Sequence, residues 1–212
     1  MNHRTRKKPI VVLAVLIVLS FGMAAQVGPT PFSADLTAKD KGGQTMNGKF
    51  YFSGEKLRID MNTERGNMIM VHNIPEKVTY MIMPQQKMYM EMHAGQSPMM
   101  KRAPDIRNLK SFDPNNPCAS LTDTTCEKVG SETVNGRSTD KWIFTDKKTG
   151  EKTTAWVDKK LHFPIKTLSQ DGSEMDFTNI QEGAPDSSLY EIPAGYRKLD
   201  MGAMMGGHMP PQ

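Results

Sequence analysis

The stretch 66–93, Gly66-Asn67-Met68-Ile69-Met70-Val71-His72-Asn73-Ile74-Pro75-Glu76-Lys77-Val78-Thr79-Tyr80-Met81-Ile82-Met83-Pro84-Gln85-Gln86-Lys87-Met88-Tyr89-Met90-Glu91-Met92-His93, decides the fold class. It reads as three β-prone runs, 67–72, 77–83 and 87–93, separated by Ile74-Pro75-Glu76 and Pro84-Gln85-Gln86, whose prolines suit turn geometry. Side chains two apart on a strand project from one face. Met68 and Met70 therefore share a face, as do Met81 and Met83, and so do Met88, Met90 and Met92. Upstream, 32–38, 44–52 and 56–61 read the same way, joined at Lys41-Gly42-Gly43, Ser53-Gly54-Glu55 and 62–66. Six strands in succession predict an antiparallel meander.

Downstream the character changes. Between 94 and 127, Pro98, Pro104, Pro114 and Pro117 bracket a segment, 105–112, that holds at most a short helix, so this region is expected to leave the sheet. Strands resume at 128–134, 140–145, 152–158, 163–169 and 174–180, with Asn135-Gly136 and Asp171-Gly172 as hairpin signals and a four-residue loop at 147–150. The sum is about eleven strands and one or two short helices, the second of these a turn that Asp186 would cap before Leu189 and Tyr190. Residues 201–212 are mostly Gly, Met and Pro, the composition of a flexible tail.

Residues 1–25 have the order of a secretory leader: Arg4, Arg6, Lys7 and Lys8, an apolar run from Ile10 to Leu19, then Gly22-Met23-Ala24-Ala25. The run is short for a membrane span, and cleavage near Ala24 or Ala25 leaves no N-terminal cysteine for lipidation. The expected product is a periplasmic or secreted, soluble, monomeric domain covering 26–200, with the tail behind it. The chain has 27 basic and 23 acidic side chains; loss of the four basic residues of the leader leaves 23 of each. A domain so balanced lacks the basic face that nucleic acid requires. Cys118 and Cys126 are the chain's two cysteines. With no C-x-x-C and no nearby histidine they read as one structural disulfide, contributing about 2.5 kcal/mol through loop closure.

Nucleophile-elbow, zincin, Walker and dinucleotide motifs are absent, and His72, His93, His162 and His208 lie far in sequence from any obvious nucleophile, which points to a non-catalytic protein without a cofactor. The unusual feature is methionine, 18 in all. Rows of it suit an adaptable apolar surface, and Met68, Met70, Met81, Met83, Met88, Met90 and Met92 are the candidate ligand-binding residues. On regular strands Val78, Tyr80 and Ile82 face the other way, and the sequence leaves open which set lines a cavity. Plain core packing is one alternative for the methionines, in a structural envelope protein without ligand. A second is soft-metal binding, with copper held by His93 or by Met204, Met205, His208 and Met209; on a regular strand His93 points away from Met92.

Three groups of residues carry a resemblance to a known family. The first is Gly48-Lys49-Phe50-Tyr51-Phe52 followed by Lys56-Leu57-Arg58-Ile59-Asp60-Met61. The second is 130–142 with Val134-Asn135-Gly136-Arg137, and the third is Phe177-Thr178-Asn179-Ile180 followed by 190–196. In this order the chain resembles the periplasmic lipoprotein-carrier superfamily of LolA- and LolB-like fold, and more closely the exported DUF4412 family. The resemblance implies a curved antiparallel half-barrel whose concave face is closed by short helices and receives acyl chains of a lipid or an acylated protein. The carriers begin with a closing helix, whereas here 26–31 leads almost directly into a strand. Either the 94–127 excursion supplies the lid or the concavity is open.

Overall fold

In the computed structural model the described residues are 29–63, 66–93, 113, 116, 117, 119 and 121–199. The expected leader and tail and much of the 94–127 segment lie outside them. Twelve strands form: β1 (Phe32–Lys39), β2 (Thr45–Phe52), β3 (Lys56–Thr63), β4 (Gly66–Asn73), β5 (Val78–Met83), β6 (Met88–His93), β7 (Thr124–Val134), β8 (Arg137–Asp146), β9 (Lys152–Asp158), β10 (Phe163–Ser169), β11 (Glu174–Glu182) and β12 (Arg197–Lys198). They make one open sheet in the order β12-β6-β5-β4-β3-β2-β1-β11-β10-β9-β8-β7. Two meanders, β1–β6 and β7–β11, are thus joined where β1 pairs with β11, and each neighbour is antiparallel except β12, which runs parallel to β6.

The sheet is curved. Phe50 on β2 and Phe163 on β10 have ring centroids 5.6 Å apart, although β1 and β11 lie between their strands. In a flat sheet three strand spacings would separate them by about 14 Å. The sheet curls because alternate positions on its central strands are apolar. Phe32, Ala34 and Leu36 on β1 pair with Phe52, Phe50 and Gly48 on β2, which pair in turn with Leu57, Ile59 and Met61 on β3. Phe32, Phe52 and Phe177 are fully buried in the resulting cluster, and Ile74 and Leu161, from the turns after β4 and β9, cover one end. Each buried phenylalanine contributes about 1.5–3 kcal/mol by area.

On the outer face a second cluster forms where the chain returns after β11. The 3-10 turn Ser187–Tyr190, capped by the Asp186 carboxylate on the Ser188 N–H, brings Tyr190 onto Val71 and Ile82, with Leu189, Ile192 and Tyr196 alongside. Arg58 donates to the Leu189 carbonyl at 2.6 Å. Burial pushes the Tyr190 phenol up to about 12. A twelfth strand, unanticipated because it is two residues long, completes this return. The other 3-10 turn, Pro84–Gln86, forms at the joint expected between β5 and β6, and Lys87 takes the left-handed conformation that ends it. Asn135 (φ 52°) and Gly136 (φ 75°) are both left-handed, as the tight turn joining two twisted strands requires. β7 begins at Thr124, four residues earlier than its β propensity suggested. Cys126 lies on β7, whereas Cys118 is outside the described residues and so is the pairing of the two.

One ionic node ties β8, β9 and β11 of the second meander together. The buried Asp158 carboxylate at the end of β9 accepts from Arg137, from the Lys160 N–H at 2.8 Å and from the Leu161 N–H at 2.7 Å, while Arg137 also reaches Glu182 on β11 at 2.9 Å. Burial alone would raise the Asp158 pKa; the Arg137 hydrogen bond and the two backbone donors outweigh it and hold the carboxyl below its ordinary 3.8. A carboxyl that ionises more readily folded than unfolded stabilises the fold above the unfolded value, and that contribution fades as pH falls through the folded one. Asp158→Asn is therefore expected to cost about 3 kcal/mol at neutral pH. Urea unfolding at successively lower pH should show the gap to wild type narrowing as the wild-type carboxyl protonates; a gap independent of pH would mean that the node contributes no charge-dependent stability.

Candidate functional site

The strand register resolves which face the methionines occupy. Across β1 to β6 the pairing defines three rows on the face that carries the aromatic cluster. The first runs Phe32, Phe52, Leu57, His72, Thr79, Met92, and the second Ala34, Phe50, Ile59, Met70, Met81, Met90. The third holds Leu36, Gly48, Met61 and Met68 on β1–β4, then Met83 paired with Met88 on β5 and β6. All seven predicted methionines thus lie on the inner face, joined by Ile59 and by Met61, which the sequence reading did not select. Met61 and Met68 are paired across the β3–β4 hairpin, so counting back from its turn was the available signal. The methionines are half-buried, unlike the fully enclosed Phe cluster beside them.

The other set, Val78, Tyr80 and Ile82, lies on the outer face, where Tyr80 and Ile82 belong to the cluster under the C-terminal return. The same strands thus use two chemistries. Outward they present Ile69, Val71, Val78, Tyr80, Ile82 and Tyr89, the β-branched and aromatic residues that strands favour. Inward, at the two rows farther from the buried His72–Thr79 pair, β4 to β6 present methionine at every position. His72 Nδ1 and Thr79 Oγ1 are 2.8 Å apart, which fixes the imidazole at the boundary between the enclosed row and the open ones.

Among the described residues no charged side chain occupies this face on β1–β6. Charges lie on the outer side, among them the pairs Lys49 with Asp35 and Arg58 with Asp60. The Asn179 amide and then Lys49 hold the Asp35 carboxyl below its ordinary value. A groove of about 650 Å³ is lined by Asp35, Thr37, Asn47, Lys49 and Asp60 of the outer face together with Met61 and Met68. It is predominantly polar.

The proposed metal ligands separate. His93 is exposed on the outer face, 2.8 Å from Glu91, which is also bound by Lys198. Lys198 and then His93 keep the Glu91 carboxyl below its usual range. Met92 lies on the inner face, so the two do not converge. Met204, Met205, His208 and Met209 are outside the described residues. Among the described residues no three His, Cys, Asp or Glu side chains gather, and no helix is long and apolar enough to cross a membrane.

The described strands thus form one open, curved sheet with an aromatic cluster on its inner face. The chain belongs to the DUF4412 family, described as a domain of unknown function, whose profile matches residues 35–162. Among solved structures, an uncharacterized conserved protein from Thermus thermophilus superposes with a TM-score of 0.54 at 8% identity, covering 81% of this chain and 90% of that one. A chain from the MucA/MucB complex of Pseudomonas aeruginosa superposes with a TM-score of 0.51 at 15% identity over 76% of this chain and 55% of that one, so this chain spans about half its length. A LolA superfamily protein from Nitrosomonas europaea aligns with a TM-score of 0.35 at 10% identity over 77% of this chain and 90% of that one. No curated protein matches the sequence. At such identities the likeness to the Thermus and Pseudomonas chains is one of fold alone.

Gly48 is the gap in the third row. A Cβ there would lie 2.2 Å from the Asp60 carbonyl oxygen on the neighbouring strand, a distance that only displaced backbone could relieve. Gly48→Ala is expected to cost about 2 kcal/mol through overpacking and to shift the methyl NMR signals of Met61 and Met68. Wild-type stability with unmoved methyl signals would show that β2 and β3 do not need this close approach.

Proposed function

We propose that the inner methionine face binds the acyl chain of a lipid or of an acylated protein, and that the protein is a non-catalytic hydrophobic-ligand carrier or binder acting in the periplasm or outside the cell. The observation that carries the reading is that β3–β6 present Ile59, Met61, Met68, Met70, Met81, Met83, Met88 and Met90 as one uncharged, half-buried, concave surface. Unbranched, polarizable methionine conforms to chains of different shape at small cost, which stiff β-branched residues do not. Burying ten methylenes against it would contribute about 8 kcal/mol before ordering costs are subtracted. The curvature of the sheet supports the reading, because it makes the inner face concave.

The test is native mass spectrometry of protein purified gently from its own envelope, followed by denaturation and identification of what is released. A lipid or acylated peptide should co-purify with wild type and be lost from Met83→Asp/Met90→Asp. An empty wild-type protein that also fails to bind a fluorescent fatty acid would overturn the proposal.

Export and the disulfide belong to the same reading. The leader at 1–25 would be removed near Ala24 or Ala25, and Cys118 would be bonded to Cys126, anchoring the excursion to β7. The intact mass of envelope-purified protein should match a chain beginning at residue 25 or 26 and lacking two hydrogens relative to its reduced form. A retained leader would argue against release as a soluble carrier, and two free thiols would remove the disulfide.

A further inference from the structure

The β5–β6 hairpin carries a feature that apolar binding does not require. Met81 is directly opposite Met90, and Met83 is directly opposite Met88. Opposed Cβ atoms of an antiparallel pair stand about 5 Å apart, and same-face neighbours along a strand about 6.8 Å. The four side chains therefore start from the corners of a small rectangle whose centre is about 4 Å from each Cβ. A methionine sulfur lies two bonds beyond Cβ, so three or four thioethers can turn inward to share one ion at a metal–sulfur distance of about 2.3 Å. Met70, paired with Met81 on the adjacent strand, adds a fifth thioether at the border.

The donor set selects the ion. Thioethers are soft and neutral, and no carboxylate, thiolate or other anionic side chain shares this face on β1–β6 among the described residues. A divalent ion would be partly stripped of water with nothing to offset its charge, whereas a soft monovalent ion fits both the donors and the charge. The outer face of the same hairpin shows that methionine is not imposed by the strands, since Tyr80, Ile82 and Tyr89 occupy it. The tight 3-10 turn Pro84–Gln86 holds the two strands in register, so the four donors come from one short, preorganised segment.

We propose that Met81, Met83, Met88 and Met90 form a thioether-only binding site for Cu(I), with Ag(I) as its redox-inert surrogate. The site is distinct from one built on His93 or on the C-terminal methionines, and its test reads ion binding directly, so its failure and the failure of acyl binding are separate results.

The test uses the full mature chain, titrated with Ag(I), and with Cu(I) under anaerobic reducing conditions against a chromophoric Cu(I) chelator. Wild type should take up one ion per chain by native mass spectrometry, and X-ray absorption should show a sulfur shell at about 2.3 Å. Met83→Leu/Met88→Leu should weaken binding by roughly 10–100-fold or more, since even outer-shell partners of a metal are worth that much. A second variant, Met204→Leu/Met205→Leu/His208→Ala/Met209→Leu, should bind the ion unchanged. Circular dichroism and urea unfolding establish that each variant is folded; if the first is not, Met90→Leu alone takes its place. Failure of wild type to bind either ion, wild-type affinity in the hairpin variant, or loss of binding in the tail variant would each overturn the assignment.

Discussion

The packing of Phe32 against Phe50, Phe52, Phe163 and Phe177 is the constraint from which the rest of the molecule follows. These rings come from β1, β2, β10 and β11, the four strands at the middle of the sheet, and they meet edge-on or tilted with centroids 5.1 to 6.3 Å from Phe32. Such contacts exist only if the sheet curls around them, because the strands that carry them are not all neighbours. The curl gives the sheet an inside and an outside. It also leaves the two wings, β3–β6 and β7–β9, projecting beyond a filled centre, so their inner faces are the surfaces on which a ligand could be received. Loss of one ring, at about 3–5 kcal/mol for a buried Phe→Ala, would act on that shape as well as on stability.

The two wings are finished differently. On the β7–β9 wing the inner face carries Trp142 together with the ion pair Lys128–Asp140, and Lys128 lies 6.0 Å from the Trp142 ring centroid. On its outer face Lys141 and Lys166 lie over Trp156, at 5.0 and 6.0 Å from the ring centroid. Long cationic side chains over indoles both satisfy and solvate an exposed sheet surface. The β3–β6 wing has no such cover on its inside among the described residues. Its outside is closed by the chain's own return through Leu189, Tyr190 and Ile192, which leaves the methionine rows as the apolar surface still open.

Much of this was legible in the sequence, for reasons that particular residues make plain. The strands of the first meander were readable because their turns contain Pro75, Pro84 and Gly54, and because a period of two separates Phe50 and Phe52 from Lys49 and Tyr51. The grouping of Met68, Met70, Met81, Met83, Met88, Met90 and Met92 followed from that period within each strand. What the period cannot say is which face is inside, since Val71 and Ile82 are as apolar as their methionine neighbours. That choice is made by register with β1–β3, where Leu57 sits opposite His72 and Ile59 opposite Met70, and by a C-terminal return whose docking no local pattern encodes. β12 was invisible for a related reason: Arg197 and Lys198 form a strand only because β6 offers them an edge. Asp158 was equally hidden, because its value comes from Arg137, twenty-one residues away in sequence, and from two backbone donors of a turn.

The separation of charge from the inner face gives the last step. On β1–β3 the outer positions hold the matched pairs Asp35–Lys49 and Arg58–Asp60, with Lys39 and Lys56 beside them, so the outer surface is well solvated. Had any one of these been displaced by a single residue along its strand, it would have stood among the methionines, since a one-residue slip exchanges the faces. The pairs therefore act with the aromatic cluster in specifying register: the cluster stabilises the correct alignment, and the desolvation of an unmatched charge on the inner face penalises the wrong one. The uncharged character of the methionine surface is accordingly part of how the fold is specified, and a surface so specified can take an uncharged chain or a soft ion while offering no anionic partner to a hard one.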